Sequence, residues 1–194
     1  FYLNKINFSN IDLKKEIKKN RLKFPIVIKP NQEGSSIGVN ICKNYNFLNS
    51  SFRKLRKKYD DLIFENYIPG KEIQVANIGN NAIGAIELQP KRKFYDYDAK
   101  YKKSSNTRHI MPADISKKKY KEVLKISEKA YKILKCKGIA RCDFRFYKDK
   151  FYLLEVNTQP GMTSLSLVPE IAAYENVSFT KLVKWMVNNA SLNR

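Results

Sequence analysis

Two runs in the C-terminal part of the chain, "ARCDFRF" (140–146) and "FYLLEVN" (151–157), do not read as strands buried on both faces. Alternation places Arg141, Asp143 and Arg145 on one face of the first run, and Ala140, Cys142, Phe144 and Phe146 on the other. In the second, Glu155 and Asn157 share a face with Leu153, opposite Tyr152, Leu154 and Val156. If the two strands pair, a single face collects Asp, Glu, Asn and Arg. Oxygen ligands of this kind beside an arginine suit a magnesium-phosphate site, because Mg²⁺ takes carboxylates plus substrate phosphate oxygens and keeps some of its water. By themselves the two runs favour a plainer reading, the solvent side of a sheet carrying ordinary charges. On an exposed sheet face a carboxylate contributes little to stability. Replacing Asp143 or Glu155 by alanine is then expected to abolish the chemistry and leave the fold intact.

A shared metal also constrains the pairing. Placing Asp143 opposite Glu155 leaves "KDK" (148–150) as a three-residue loop. A plain two-residue turn at Lys148 and Asp149 instead pairs Asp143 with Leu154 and sends the two carboxylates to opposite faces. The site therefore predicts an odd-length connection or a one-residue bulge between Phe144 and Leu153.

Two other stretches bear on phosphate. "NTQPGMTSLSL" (157–167) puts a glycine after a proline and then hydroxyl residues at a helix start, where free N–H groups favour an anion; a capped helix after a tight turn fits equally. "NQEGSSIGVN" (31–40) sits between "FPIVIKP" and "ICKN". It is no Walker A loop, because no Gly-Lys-Ser/Thr closes it and a strand follows. A glycine-rich hairpin is the simpler account, although Lys29, two serines and several backbone N–H groups together could cradle a phosphate chain.

The elements that must position these residues follow from period and punctuation. "FPIVIKP" and "VNIC" read as strands around the glycine loop. Leu48, Phe52, Leu55 and Tyr59 recur at helical spacing. "DLIFENYI" reads as a strand ending at "PGK", and "EIQVANIG" and "NAIGAIEL" flank "GNN" as a hairpin. Residues 90–114 show neither period, and a loop of that length is commonly functional. Ser116 caps a helix running to about Cys136, with Val123, Leu124, Ala130, Tyr131 and Leu134 as its buried stripe and Gly138 past its end. Two helices around "LSLVPEIAAY" and "FTKLVKWMVNNA" close the chain. The reading is an α+β protein with antiparallel sheets and a boundary between lobes near Pro69 and Gly70.

The chain has 194 residues and a globular composition, 43% hydrophobic and 12% aromatic. No apolar stretch approaches the roughly 20 residues that span a bilayer, and the first residues lack the zones of a signal peptide. The expectation is an intracellular, cytoplasmic protein without a membrane partner. Three cysteines without a CxxC pair suggest neither a disulfide framework nor a zinc site. The net charge of +20 invites a nucleic-acid partner. Against it, the basic residues sit on polar sides of helix-like segments mixed with Asp and Glu, and no nucleic-acid motif accompanies them. Lys, Asn, Ile, Phe and Tyr are abundant together, as in proteins encoded by AT-rich DNA, so a solvated basic surface is preferred over a nucleic-acid footprint.

Five stretches together resemble the D-alanine–D-alanine ligase family of the ATP-grasp superfamily, in the family's order: "FPIVIKPNQEGSSIGV", "FENYIPGKEIQV", "FYDYDAKY", "ARCDF" and "LLEVNTQPGMTSLSLVPEIA". The resemblance runs from about residue 24 to the C-terminus. It implies an ATP-grasp fold with ATP held between two antiparallel sheets and Mg²⁺ (or Mn²⁺) bridging the phosphates. By motif, Lys29 contacts the nucleotide, Ser35 and Ser36 belong to a lid over the phosphates, Glu65 and the backbone near Ile68 meet the adenine, and Glu72 takes the ribose hydroxyls. Asp143, Glu155 and Asn157 are the implied metal ligands. Arg141 and the Gly161 backbone suit the oxyanion, Ser166 and the Leu167 amide the carboxylate of the second D-alanine, and Lys100 and Tyr101 would close over the substrates. The glycine loop would thus be a hairpin whose turn is a phosphate lid.

The implied reaction is ATP-dependent joining of two D-alanines through an acyl phosphate, for peptidoglycan precursor synthesis. The tyrosine of "AKY" resembles the D-alanine-forming members; another second substrate is the alternative. Gln159 and Leu165 depart from the small polar residue and histidine that many members carry. The implied division is 1–71 as the ATP-grasp central subdomain and 72–194 as the C-terminal one, with a possible homodimer. The family's N-terminal domain has no counterpart in these residues. About a hundred further residues are expected ahead of Phe1, one domain's worth, without which the chain would be inactive. His109, the only histidine, is given no catalytic role.

Overall fold

The computed structural model describes residues 1–8, 11–34, 36–90, 107–163 and 165–191. Ser35, Lys100 and Tyr101 lie outside them. The strands are β1 (Tyr2–Asn4), β2 (Ile26–Pro30), β3 (Asn40–Cys42), β4 (Asp61–Asn66), β5 (Lys71–Ile78), β6 (Asn81–Gln89), β7 (Arg108–Ile110), β8 (Ile139–Tyr147) and β9 (Lys150–Asn157). The α-helices are α1 (Leu13–Lys19), α2 (Tyr45–Leu55), α3 (Lys117–Ile133), α4 (Leu167–Tyr174) and α5 (Phe179–Asn189). The protein is α+β with two antiparallel sheets, and its described residues group into two compact units that divide after Ile68.

In the first unit the sheet order is β1-β4-β2-β3. Ile26, Ile28, Leu62 and Phe64 turn to one side and bury against Leu48, Phe52 and Leu55 of α2, the helical stripe read from the sequence. Asn44 starts α2 by accepting the Phe47 amide with its side chain. The opposite side of β2 and β4 carries Val27, Lys29, Ile63 and Glu65. The glycine loop joins β2 to β3 as a hairpin, with Ser36 in the left-handed region (φ 62°).

In the second unit the order is β7-β6-β5-β8-β9. One face, with Ile73, Val75, Ala85, Cys142 and Phe144, forms a core with Val123 and Ala130 of α3. Ser116 caps α3 through the Lys119 amide, as its position predicts. Two details of α3 differ from expectation. The chain leaves it through Lys135 (φ 51°) ahead of Gly138, and Leu134 is exposed where the stripe would have buried it. β1 and β7, three residues each, carried no readable period.

The other face of this sheet is covered in part by α4, whose Ile171 lies against Gly84 of β6. Beyond α4 that face bears the charged residues of β5, β8 and β9.

Candidate functional site

The connection between β8 and β9 is a two-residue turn. Lys148 and Asp149 both have positive φ, 47° and 62°, the geometry of a turn that matches the twist of paired strands. Such a turn alone would put Asp143 and Glu155 on opposite faces. The strand corrects itself with a bulge. Phe144 pairs with Leu153, yet Asp143 pairs with Glu155, so Leu154 is the extra residue. The packing agrees: Phe151 and Val156, five residues apart, both lie on the core side, which unbroken alternation forbids. The bulge lies one step nearer the site than the predicted interval, between Asp143 and Phe144 on β8 and between Leu153 and Glu155 on β9. It also corrects the simple face assignment of β9. Leu153 is not in phase with Glu155, and Tyr152 pairs with Arg145 on the charged face.

Three cross-strand rows result. Glu72, Arg145 and Tyr152 form the first; Gln74, Asp143 and Glu155 the second; Ala76, Arg141 and Asn157 the third. Residues paired across antiparallel strands project to the same side. The charged residues read from the sequence are therefore brought together, two strand positions apart, on one surface.

Asp143 is buried, only 6% exposed, and not the solvent-facing carboxylate expected from the pattern. The neighbouring strands and the Arg141 side chain enclose it. Arg141 Nε donates to Asp143 Oδ1 at 2.7 Å and Nη2 to Oδ2 at 2.9 Å, a bidentate grip between residues two apart on one strand. The expectation that its loss leaves the fold untouched is corrected accordingly. Glu155 is exposed. Asn157 Oδ1 accepts the Gln159 amide at 2.9 Å, which shapes the exit from β9.

Within the first row, Glu72 Oε2 lies 3.1 Å from Arg145 Nη2. On the reverse of β8, burial pushes the Cys142 thiol up, which suits a packing residue and not a nucleophile. At the start of α4 the Ser166 hydroxyl accepts the Thr163 amide at 2.9 Å and also meets the Thr163 hydroxyl. It makes no capping bond to α4 itself. A Cβ at Gly161 would stand 2.8 Å from the Ser166 hydroxyl, so glycine at 161 lets the two approach. Leu167, the first residue of α4, is buried. In the first unit, Lys29 Nζ pairs with Glu65 Oε1 at 2.8 Å, and Ile68 follows the end of β4.

Sequence reasoning missed two contacts. His109 Nδ1 lies 2.8 Å from Glu170 Oε2, which ties β7 to the first turn of α4. The Glu72–Arg145 pair depends on β5 lying beside β8, and no local pattern reveals that neighbourhood. The Arg141–Asp143 grip had a signal, since residues two apart on a strand share a face.

Among the described residues no group of three or more His, Cys, Asp or Glu side chains forms a metal centre. The candidate donors are two carboxylates and one amide oxygen, hard ligands that suit Mg²⁺ or Mn²⁺ with water and phosphate completing the shell. Each Asp143 oxygen keeps a lone pair beyond its bond to Arg141, so the grip and a cation are compatible.

Two antiparallel sheets, one with a carboxylate row beside a glycine-and-hydroxyl turn, define a protein of the ATP-grasp class. Residues 2–188 match the family model described as "D-ala D-ala ligase C-terminus", and the chain belongs to the D-alanine–D-alanine ligase family. It is 52% identical over 186 residues to a D-alanine–D-alanine ligase of Pelagibacter ubique, covering 96% of this chain and 60% of that one. Among solved structures it resembles a D-alanine–D-alanine ligase from Bacillus anthracis with a TM-score of 0.82 and 30% identity, covering 97% of this chain and 60% of that one. The same enzyme complexed with ATP gives 0.79 at 30% identity, covering 97% and 59%. The chain thus spans about 60% of the length of these relatives.

Proposed function

We propose that this chain provides the nucleotide, metal and acyl-transfer residues of an ATP-dependent ligase that joins two D-alanines. The observation that carries the reading is the bulge at Leu154, which places Glu155 opposite Asp143 with Arg141 and Asn157 in the adjacent row. An ordinary charged sheet face does not need that register. ATP as co-substrate and a soluble amino acid as acceptor imply a cytoplasmic enzyme of cell-wall precursor synthesis.

In this reading the γ-phosphoryl group of ATP passes to the carboxylate of one D-alanine, and ADP leaves. The amine of the second D-alanine then attacks the acyl carbon and phosphate departs. Lys29 sits near the phosphates, Glu65 and the Ile68 backbone face the adenine, and Glu72 takes the ribose hydroxyls. Ser35 and Ser36 cover the phosphates. Asp143, Glu155 and Asn157 hold Mg²⁺ or Mn²⁺, which neutralises phosphate charge when bound. Arg141, already oriented by Asp143, places a guanidinium edge where the acyl oxygen gains negative charge, and the Gly161 amide can approach it closely. Ser166 and the Leu167 amide receive the second carboxylate, and Lys100 and Tyr101 complete the enclosure. Orientation before reaction matters because phosphoryl transfer gains mainly from positioning and charge stabilisation.

The test is a coupled assay of ADP release with product identification in the full-length protein. D-alanyl-D-alanine formed in proportion to ADP is expected, with D-lactate and D-serine poor second substrates. ADP release without dipeptide would overturn the reading.

A further inference from the structure

Arg145 has no part in that chemistry, yet its side chain is held in place at both ends of its guanidinium. Nη2 lies 3.1 Å from Glu72 Oε2, and Nη1 donates to the Gly70 carbonyl at 3.1 Å. The Arg145 and Glu72 side chains are 13% and 12% exposed. A pair so far removed from water is screened weakly, unlike the surface ion pairs that contribute little. The segment it grips is itself fixed. Gly70 has φ 104°, and a Cβ there would stand 2.2 Å from the Phe146 carbonyl, so this turn lies flush on β8. One guanidinium thus reads two acceptors, a carbonyl and a carboxylate two residues apart, at the entry to β5. A planar fork can do this, whereas a single ammonium cannot match both directions.

We infer that Arg145 is a positioning residue for nucleotide selection: it fixes the Glu72 carboxylate so that the site distinguishes intact ribose from 2′- and 3′-deoxyribose. The inference rests on the proposed placement of ribose hydroxyls at Glu72. A carboxylate discriminates between a hydroxyl and a hydrogen only if its oxygen stays where the hydroxyl arrives, since a rotating carboxylate returns to solvent when the hydroxyl is missing. With the Arg145 fork in place the orientation is set before the nucleotide binds.

The experiment measures kcat/KM for ATP, 2′-deoxy-ATP and 3′-deoxy-ATP in the full-length protein and in Arg145→Met, Arg145→Lys, Glu72→Gln and the Glu72→Gln/Arg145→Met double variant. The wild type should prefer ATP by at least about tenfold over one deoxy analogue, the loss typical of a hydrogen bond to a charged group. Arg145→Met should cut that preference to about twofold, raising KM for ATP with kcat nearly kept, and Arg145→Lys should fall between. The double variant should discriminate no worse than Glu72→Gln alone, because both substitutions disable one device. It also removes both charges, so it remains informative if Arg145→Met fails to fold. A wild type indifferent to the deoxy analogues would remove ribose from Glu72 and end the underlying placement. Discrimination kept in Arg145→Met, or losses that add in the double variant, would overturn the role of Arg145 alone. A purely structural arginine would lower stability and kcat and leave the ATP to deoxy-ATP ratio unchanged.

Discussion

Replacing the two carboxylates of the central row should have the same effect on activity and unequal effects on stability. Asp143→Ala removes the partner of an Arg141 guanidinium whose side chain is 14% exposed, held through two bonds of 2.7 and 2.9 Å. Breaking a fully buried pair costs about 3–5 kcal/mol; at this rim, where Arg141 retains some water, about 2–3 kcal/mol is expected. For a chain of this size that corresponds to a fall of roughly 5–10 °C in Tm. Glu155 is exposed, so Glu155→Gln should stay within about 0.5 kcal/mol of wild type. Thermal melts and urea titrations, run beside the ligase assay, measure both quantities on the same preparations. Adding Arg141→Met to Asp143→Ala should recover much of the lost stability, since it removes the charge whose bidentate partner is gone, while activity stays absent. Equal melting temperatures for Asp143→Ala and Glu155→Gln would refute the reasoning, as would a double variant less stable than the single one.

Changing Lys148-Asp149 to Asn-Gly keeps the turn and relieves two side chains from positive φ, so stability should rise by about 0.5–1 kcal/mol in urea titrations. A fall would mean that the Lys119–Asp149 contact outweighs the backbone. Asp114 is bonded to Lys71, which lowers its carboxyl below the ordinary value by hydrogen bonding first and charge second. A depressed carboxyl stabilises the fold above its unfolded pKa, about 3.9, and loses that contribution as pH falls through the folded value. The urea midpoint of Asp114→Asn should therefore lie below wild type at pH 6 and converge with it near about pH 2; a gap that persists in acid would contradict the assignment.

Much of the molecule was legible because its local signals agree. The helical stripe Leu48, Phe52 and Leu55, the cap at Ser116, and the proline-closed strand 26–30 each combine period with punctuation. The short strands β1 and β7 were not legible. Three residues hold no period, and each strand exists only because a longer neighbour, β4 or β6, offers it a free edge. Burial of Asp143 was misread for a related reason. Alternation gives the face of a residue but not what covers that face, and here its own neighbour Arg141 does so.

The bulge shows how a functional demand can be read where a structural one cannot. Nothing in "YLLEV" marks Leu154 as an extra residue, and a two-residue turn at Lys148 and Asp149 is the most economical hairpin for this length of chain. Core packing asks for Phe151 inward near the turn, and Val156 inward near the site. These two demands conflict by one residue, and the conflict is resolved at the point where the face must change. Requiring Asp143 and Glu155 to share a metal gave the same conclusion from chemistry, although it left open whether the turn or the strand would absorb the odd residue. The strand absorbs it beside Asp143, and the extra residue, Leu154, is left without a partner on β8 and 39% accessible. A leucine left unpaired in water next to Glu155 is poor packing for a sheet that serves only stability. It is intelligible where the position of Glu155 outranks the burial of its neighbours.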